Sequence, residues 1–210
     1  MFITFEGIDG SGKSTQAQRL ADWLQTCGHT VETMRDPGST PVAEQVRALL
    51  LNPGVSIDDR AELFLFAAAR AQLVSERIRP ALKRGAVVLC DRFYDSTTAY
   101  QGGGRGVVPL AWLRTLHMQT TDGLAPTRTY IIDVPVQEAA ARRHSEPDDR
   151  LEQEEMAFHE RVRSTYQALA AEEPERICLI DGRGAPEQIH TAIRSDLQEV
   201  WPHNGAGTPL

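Results

Sequence analysis

Short apolar runs alternate along the chain with longer segments in which apolar residues recur at every third or fourth position. The runs are typical of buried strands in a parallel sheet, and the longer spacing is typical of helices. Five runs predict strands: MFITF at 1–5, TVETMR at 30–35, AVVLC at 86–90, TYIIDV at 129–134 and ICLI at 177–180. Because strands and helices alternate without an internal repeat, we expect one α/β domain over residues 1–201.

Helical spacing is clearest in three segments. The stretch KSTQAQRLADWLQT at 13–26 predicts a helix that Gly28 terminates. The second predicted helix carries Val42, Val46, Leu49 and Leu50 and ends at the NPG turn at 52–54. Residues 60–79 predict a longer helix, which we expect to stop before Pro80 because proline disfavours a helical residue in front of it. Residues 202–210 have no apolar period and are expected to form a loose tail.

The composition narrows the possible classes of protein. Of the 210 residues, 41% are hydrophobic and 24% are charged, as in an ordinary soluble globular domain. The net charge of −7 argues against a nucleic-acid partner, because binding the backbone needs clustered lysine and arginine. The three cysteines lack metal-ligand spacing and suggest neither a zinc site nor a disulfide framework. Without a leader or a membrane-length apolar run, we expect no membrane partner and a cytoplasmic location.

The segment FEGIDGSGKST at 5–15 contains the first candidate functional motif. It matches the phosphate-loop pattern G-x-x-x-x-G-K-[ST] between a predicted strand and a predicted helix. Glycines let backbone N–H groups surround a phosphate, Lys13 reaches the outer phosphates, and the Ser14 hydroxyl can ligate Mg²⁺. The expected nucleotide contacts are Gly7, Ile8, Asp9, Gly10, Ser11, Gly12, Lys13, Ser14 and Thr15. The alternative, a glycine-rich turn that only caps a helix, does not explain the full pattern.

Asp91 and Arg92 directly follow the third predicted strand. Because ligands collect at the carboxyl ends of parallel strands, this pair should face the same crevice as the phosphate loop. We expect Asp91 to hold Mg²⁺ through water, together with Ser14. Arg92 is suited to clamp an incoming phosphate with two parallel N–H bonds. A purely structural Asp–Arg pair is the alternative.

A basic stretch, ARRHSEPDDR at 141–150, lies late in the chain between two predicted helices. We expect a mobile cover, or lid, at about 141–151 that brings Arg142, Arg143 and Arg150 over the phosphates. The alternative is a solvated helix end.

A phosphate loop alone would also fit a GTPase, an ATPase or a nucleotide-dependent switch. The N-K-x-D or T-K-x-D stretch of guanine-specific switches does not occur in this sequence.

Taken together, these motifs resemble those of bacterial thymidylate kinases. Besides the phosphate loop, the resemblance rests on RDPGST at 35–40, EQVRALLL at 44–51, LFLFAAARAQLV at 63–74, DRFYDSTTAYQGGGRG at 91–106 and DRLEQE at 149–154. It implies an adenylate-kinase-like fold, with a five-stranded parallel sheet in the order 2-3-1-4-5 flanked by helices. It also implies a homodimer that transfers the γ-phosphoryl group of ATP to dTMP. Another monophosphate kinase, or a nucleotide-binding regulator without turnover, would be the alternative.

The resemblance also implies roles for individual residues. Phe66 would stack on thymine, Arg70 would donate to thymine O4, and Tyr100 would exclude a ribose 2′-hydroxyl. Asp9 would face the acceptor nucleotide rather than the ATP phosphates. The implied substrate-binding set is Asp9, Arg47, Phe66, Arg70, Arg92, Ser96, Thr97, Tyr100 and Gln101. The implied catalytic set is Lys13, Arg92, Asp9, Arg142, Arg143 and Arg150.

Local alternatives stand beside several of these roles. Phe66 could be an ordinary core residue, and Tyr100 and Gln101 could belong to a flexible turn with the glycines at 102–104. Arg70 interrupts an apolar helix, so its charge needs a hydrogen-bond acceptor. The phosphate loop lacks the arginine that eukaryotic members carry there, so the cover arginines would meet the transition-state charge. Which of the three does so stays open.

Overall fold

The computed structural model describes residues 1–143 and 149–201, which are built around one parallel sheet. Its strands are β1 (Phe2–Glu6), β2 (Val31–Arg35), β3 (Val87–Asp91), β4 (Arg128–Asp133) and β5 (Ile177–Asp181). All neighbours pair in parallel in the order β2-β3-β1-β4-β5, which confirms the predicted order. The apolar run MFITF becomes the central strand, and every residue of β1 is buried.

Helices cover the two faces of the sheet. They are α1 (Lys13–Thr26), α2 (Pro41–Leu51), α3 (Asp59–Leu73), α4 (Arg79–Lys83), α5 (Tyr94–Thr97), α6 (Leu110–Thr121), α7 (Val136–Arg142), α8 (Met156–Glu172) and α9 (Pro186–Val200). Two π-helical segments, Val74–Ile78 and Thr98–Gly104, follow α3 and α5. Side chains cap two of the helices: Thr40 accepts a backbone N–H of α2, and Asp58 accepts two of α3.

The helix that was predicted to stop before Pro80 continues to Lys83. The π-helical segment Val74–Ile78 explains this difference, because in it the N–H of Arg79 donates to the carbonyl of Val74, five residues back. Pro80 then stands in the first turn of α4, where a helix tolerates a residue without an N–H. The expected helix end was therefore wrong.

Apolar side chains on the two faces of the sheet form two separate cores. Ile3 and Phe5 point to one face and pack with side chains of α1, α8 and α9. Phe2 points to the other face and packs with residues of α3, α4 and the π-helical segment between them. This alternation follows from the strand geometry, and each buried large side chain contributes roughly 1.5–3 kcal/mol.

The glycines at 102–104 do not form a flexible turn. They complete the buried π-helical segment Thr98–Gly104, which lies against α8. A Cβ atom on Gly103 would stand 1.8 Å from Oγ1 of Thr165. The glycines therefore let the segment that carries Tyr100 and Gln101 approach α8 closely.

Two expectations concern residues outside the described ranges. Residues 144–148, the middle of the expected cover, and residues 202–210, the expected tail, both lie outside them. Within the described ranges, no helix combines the length and the apolar character needed to cross a membrane. The three cysteines are free thiols.

Candidate active site

The loop between β1 and α1 borders an open cleft of about 1050 Å³, the loop cleft. Residues 10–15 form one side of the cleft, and Arg142 and Pro186 lie on the other. Gly10 has a φ of 85°, and a Cβ there would stand 2.2 Å from the carbonyl oxygen of Ala139. The position therefore requires glycine. Of the loop residues predicted to contact a nucleotide, Gly7, Ile8 and Asp9 do not line the cleft: Gly7 and Ile8 are buried, and Asp9 lines a different pocket.

Ser14 and Asp91, the two predicted Mg²⁺ ligands, lie next to each other. The Ser14 hydroxyl donates to Oδ2 of Asp91 at 2.5 Å, and Oδ1 of Asp91 is buried without a hydrogen-bond partner in the described ranges. A hydroxyl and a carboxylate suit Mg²⁺, which usually takes one or two protein oxygens and completes its shell with water and phosphate. The residues present therefore fit this ion. Residues 1–143 and 149–201 hold no cluster of three or more His, Cys, Asp or Glu side chains that could bind a metal.

Asp9 lines a second pocket and is bonded to Lys13, which lines the loop cleft. Its Oδ1 atom accepts from Nζ of Lys13 at 2.9 Å and from the guanidinium of Arg92 at 2.6 Å. Its Oδ2 atom accepts from the Tyr100 hydroxyl at 3.2 Å. Burial alone would raise the pKa of Asp9, but Arg92 and Lys13 hold that pKa well below its ordinary value. The acid of the loop is thus ionised and paired with two cations.

Arg92 stands in a strained turn with a φ of 69°. Its guanidinium contacts residues from four parts of the chain: besides Asp9, it donates to Ser96 at 3.0 Å, to Tyr166 at 3.3 Å and to Tyr100 at 3.2 Å. The backbone N–H of Arg92 donates to the carbonyl of Phe5 at 2.9 Å. The side chain is therefore held in one orientation at the carboxyl end of β3.

Glu6 lies fully buried beneath this turn. It accepts from the Phe93 N–H at 2.7 Å, from the Ser96 hydroxyl at 2.5 Å and from the Tyr166 hydroxyl at 2.8 Å. Burial and the nearby charge of Asp95 raise the pKa of Glu6 to about 7. Neither Glu6 nor Tyr166 was among the predicted site residues. The acid at the end of an apolar strand was a visible signal for Glu6, whereas no sequence signal connects Tyr166 with a strand 160 positions away.

The second pocket, called the β3 pocket below, encloses about 500 Å³. Every residue of the predicted substrate-binding set lines it: Asp9, Arg47, Phe66, Arg70, Arg92, Ser96, Thr97, Tyr100 and Gln101. These residues come from the loop, α2, α3 and the segments after β3. Among them, Arg47 donates to the carbonyl of Pro37 at 3.2 Å.

Arg70 lines the β3 pocket and, within the described part of the chain, carries one unpaired hydrogen-bond donor. Its Nε donates to Oδ2 of Asp36 at 2.5 Å and its Nη2 donates to Thr97 at 2.8 Å. Its Nη1 is buried and has no partner in the described ranges. The acceptor that the sequence required for this charge is therefore Asp36, from the turn after β2. Since a buried unpaired donor costs about 1–3 kcal/mol, a ligand that accepts from Nη1 is favoured.

The three cover arginines lie in two different places. Arg142 lines the loop cleft and donates to the carbonyl of Gly182 at 3.0 Å. Arg143 contacts the loop, since its Cγ lies 3.1 Å from the position that a Cβ on Gly10 would occupy. Its Nε is buried without a partner in the described residues. Arg150 lies instead beside the β3 pocket, where its Nε donates to the carbonyl of Leu50 at 2.8 Å.

Comparisons with known proteins found a matching family model, similar sequences and a similar crystal structure. A family model described as Thymidylate kinase matches residues 5–193. A thymidylate kinase of Desulfovibrio desulfuricans is 47% identical over 216 residues, covering 99% of each chain. One from Thermomicrobium roseum is 47% identical over 201 residues, covering 95% of each chain. The crystal structure of thymidylate kinase from Ehrlichia chaffeensis matches with a TM-score of 0.79 at 34% identity, covering 94% of this chain and 98% of the other.

The raised pKa of Glu6 predicts a pH dependence of stability. The folded protein binds the Glu6 proton more tightly than the unfolded chain does, so protonation of Glu6 stabilises the fold. This stabilisation is complete below pH 4.5, the ordinary pKa of glutamate, and is lost as the pH rises through about 7. Between pH 5 and pH 8, wild type should therefore lose about 3 kcal/mol relative to Glu6→Gln, which cannot titrate there. Urea unfolding of both proteins across this range measures the difference, and parallel pH curves would contradict it.

Proposed function

The chain belongs to the thymidylate kinase family, and from its two adjoining pockets we propose how it transfers a phosphoryl group from ATP to dTMP, giving dTDP and ADP. The observation that carries this mechanism is the link between the two pockets: Asp9, which lines the β3 pocket with Arg92, forms ion pairs with that arginine and with Lys13, which lines the loop cleft. We place the phosphoryl donor in the cleft and the acceptor in the pocket, so that they meet beside these three residues. Positioning and charge neutralisation then supply most of the catalysis.

The loop cleft holds ATP. Its backbone N–H groups and the N-terminus of α1 surround the phosphates, and Lys13, only 7% exposed, supplies a positive charge. Ser14 and Asp91 hold Mg²⁺, because their oxygens face each other and Oδ1 of Asp91 is otherwise unpaired. When bound, Mg²⁺ neutralises charge on the phosphate oxygens.

The β3 pocket holds dTMP with its phosphate toward Asp9. Arg92 and Arg47 bind that phosphate, since both guanidinium groups line the pocket and Arg92 is fixed by four partners. Tyr100, whose hydroxyl is tied to Asp9, lies under the sugar and leaves no room for a 2′-hydroxyl. A monophosphate is already ionised at neutral pH, so no side-chain base is needed.

The other end of the pocket recognises thymine. Phe66 and Arg70 are four positions apart on α3 and therefore lie on one face of that helix. Phe66 stacks on the ring, and the unpaired Nη1 of Arg70 donates to O4. Ser96 and Thr97 close the side of the pocket. Cytosine would present an amino donor where thymine presents O4, so it would leave the Arg70 donor opposed by another donor.

Arg142 and Arg143 stabilise the charge of the phosphoryl group in transit. Arg142 already lines the loop cleft, and Arg143 has an unpaired Nε beside the loop. Preorganised donors of this kind are typically worth about 100- to 1000-fold in turnover. Arg150, bonded beside the β3 pocket, acts on the acceptor side of the site instead.

We further propose a cytoplasmic enzyme whose partners are nucleotides rather than nucleic acid. The net charge of −7 disfavours a surface that binds the nucleic-acid backbone. The free thiols of Cys27, Cys90 and Cys178 suit a reducing compartment.

A second copy of the chain covers an apolar surface on α2, α3 and α6. Its exposed side chains are Val42, Leu49, Phe64, Trp112 and Met118. The rings of Phe64 and Trp112 lie 6.2 Å apart, so the surface continues from α3 to α6. Grouped apolar side chains of this kind mark interfaces, and a homodimer is the assembly implied by the family resemblance.

The acceptor assignment predicts an order of substrates. dTMP should be used best and dUMP should follow within about 10- to 200-fold, because only one methyl group distinguishes them. dCMP should be poorer by several orders of magnitude, because it opposes the Arg70 donor. Arg70→Met should reduce the dTMP-to-dCMP ratio, whereas Arg77→Met, which removes an arginine outside the pocket, should leave it unchanged. Values of kcat/KM from an ADP-release assay test this, and equal wild-type turnover of dCMP and dTMP would overturn the thymine assignment.

The dimer assignment predicts the effect of a charge on the apolar surface. Trp112→Glu should shift the protein from dimer to monomer, since burying a carboxylate in an apolar interface is unfavourable. Leu179→Glu, a substitution at an exposed leucine on β5, should leave the dimer intact. Light scattering coupled to gel filtration gives the mass of each variant. A monomeric wild type at micromolar concentration, or a dimeric Trp112→Glu, would contradict the assignment.

A further inference from the structure

A buried carboxylate lies behind the base end of the β3 pocket. Glu62 is 0% exposed and stands four positions before Phe66 and eight before Arg70, on the same face of α3. Glu62 does not line the pocket itself. A fully buried acid is unfavourable unless several donors satisfy it, so its partners indicate its purpose.

Three side chains from two other segments donate to Glu62. Nε2 of Gln101 donates to Oε1 at 2.7 Å. Nε and Nη2 of Arg105 donate to Oε1 and Oε2 at 2.8 and 3.0 Å, and Arg150 donates to Oε2. Burial would raise the pKa of Glu62, but the hydrogen bonds from Arg105, Gln101 and Arg150 lower it below its ordinary value. Glu62 is therefore an ionised acceptor.

An ionised carboxylate determines which way the Gln101 carboxamide points. A carboxylate only accepts hydrogen bonds, so the amide nitrogen of Gln101 must face it. The carbonyl oxygen Oε1 is then turned away from Glu62, and Gln101 lines the β3 pocket. Arg70, which lines the same pocket, has an unpaired donor at Nη1 among the described residues. Two residues that line the same pocket thus offer a bound base one donor, on Arg70, and one acceptor, on Gln101.

Glu62 also holds one side of the pocket wall. Arg150 is bonded both to Glu62 and to the carbonyl of Leu50. The residues on either side of Arg150, Asp149 and Leu151, line the pocket. The position of this wall therefore depends on the same carboxylate as the orientation of Gln101.

We infer that Glu62 is a positioning residue for base recognition: it orients Gln101 to accept from the ring N3–H of thymine and anchors the pocket wall at 149–151 through Arg150. This inference rests on the proposed placement of dTMP in the β3 pocket. Thymine and uracil present an acceptor at O4 and a donor at N3, which complement Arg70 and Gln101. Cytosine presents a donor and an acceptor at the corresponding places, so both contacts are reversed.

The test replaces the carboxylate with an amide. In Glu62→Gln, the side chain at 62 can donate as well as accept, so Gln101 is no longer held in one orientation. We expect KM for dTMP to rise at least about 10-fold with kcat within about 3-fold, and the dTMP-to-dCMP ratio of kcat/KM to fall at least about 10-fold. KM for ATP should not change. The matched control is Glu154→Gln, which removes a carboxylate that pairs with Arg105 but has no contact with Gln101. It should retain the wild-type ratio.

Two further variants control for a Glu62→Gln protein that does not fold and test whether Glu62 acts through Gln101. Glu62→Asp retains the charge for both arginines but is one methylene shorter, so it should fold even if Glu62→Gln does not, and it should change KM and the ratio in the same direction. In a Gln101→Ala background, Glu62→Gln should lower the ratio little further, because the residue through which it acts is gone. Wild-type KM and ratio in a folded Glu62 variant, or fully additive losses in the double variant, would overturn the inference. A wild type that does not prefer dTMP over dCMP would instead overturn the placement of dTMP, and this inference with it.

Discussion

The organisation of the active site depends on one carboxylate oxygen, Oδ1 of Asp9, which accepts from both Lys13 and Arg92. Arg92 directly follows β3, and Lys13 begins α1 after the loop that follows β1; the two strands are neighbours, since Phe5 of β1 lies opposite Asp91 of β3. Without the acid, two positive side chains would stand close together in a partly buried site. With it, each cation is held in place and the trio keeps a net positive charge for phosphate. This explains how an acid can stand in a loop that is built for anions.

Other buried charges of the site are also paired with charged or polar side chains, and two residues of the site keep one unpaired atom each within the described ranges. Arg70 is satisfied by Asp36 and Thr97 except at Nη1, and Asp91 is satisfied by Ser14 except at Oδ1. Each unpaired atom costs about 1–3 kcal/mol, which binding of a complementary group recovers. Glu62 differs, because both of its oxygens accept hydrogen bonds from other side chains and Glu62 does not line the pocket. Such a residue acts through the side chains that it holds.

The parts of the molecule that could be predicted from sequence depend on residues close together in the chain. The five strands lie within one residue of their predicted bounds, and α1 begins and ends where its apolar period does. The phosphate loop was recognisable because its glycines and lysine must be neighbours. The expected helix end at Pro80 was wrong, because a π-helical turn is an alternative hydrogen-bond pattern that apolar spacing does not reveal. The pairing of Glu6 with Tyr166, and of Glu62 with Arg150, joins distant segments and becomes visible only in the fold.

In the proposed mechanism, Lys13 acts on the phosphoryl donor and Arg92 on the acceptor, although both bind the same oxygen of Asp9. Calorimetric titration of a non-hydrolysable ATP analogue and of dTMP into two variants tests this division most directly. Lys13→Ala should weaken the analogue at least about 10-fold and dTMP by less than about 3-fold, and Arg92→Met should do the reverse, as charge-assisted bonds to phosphate are worth about 1.5–3 kcal/mol. Equal losses of both ligands in both variants would contradict the assignment of ATP to the loop cleft and dTMP to the β3 pocket.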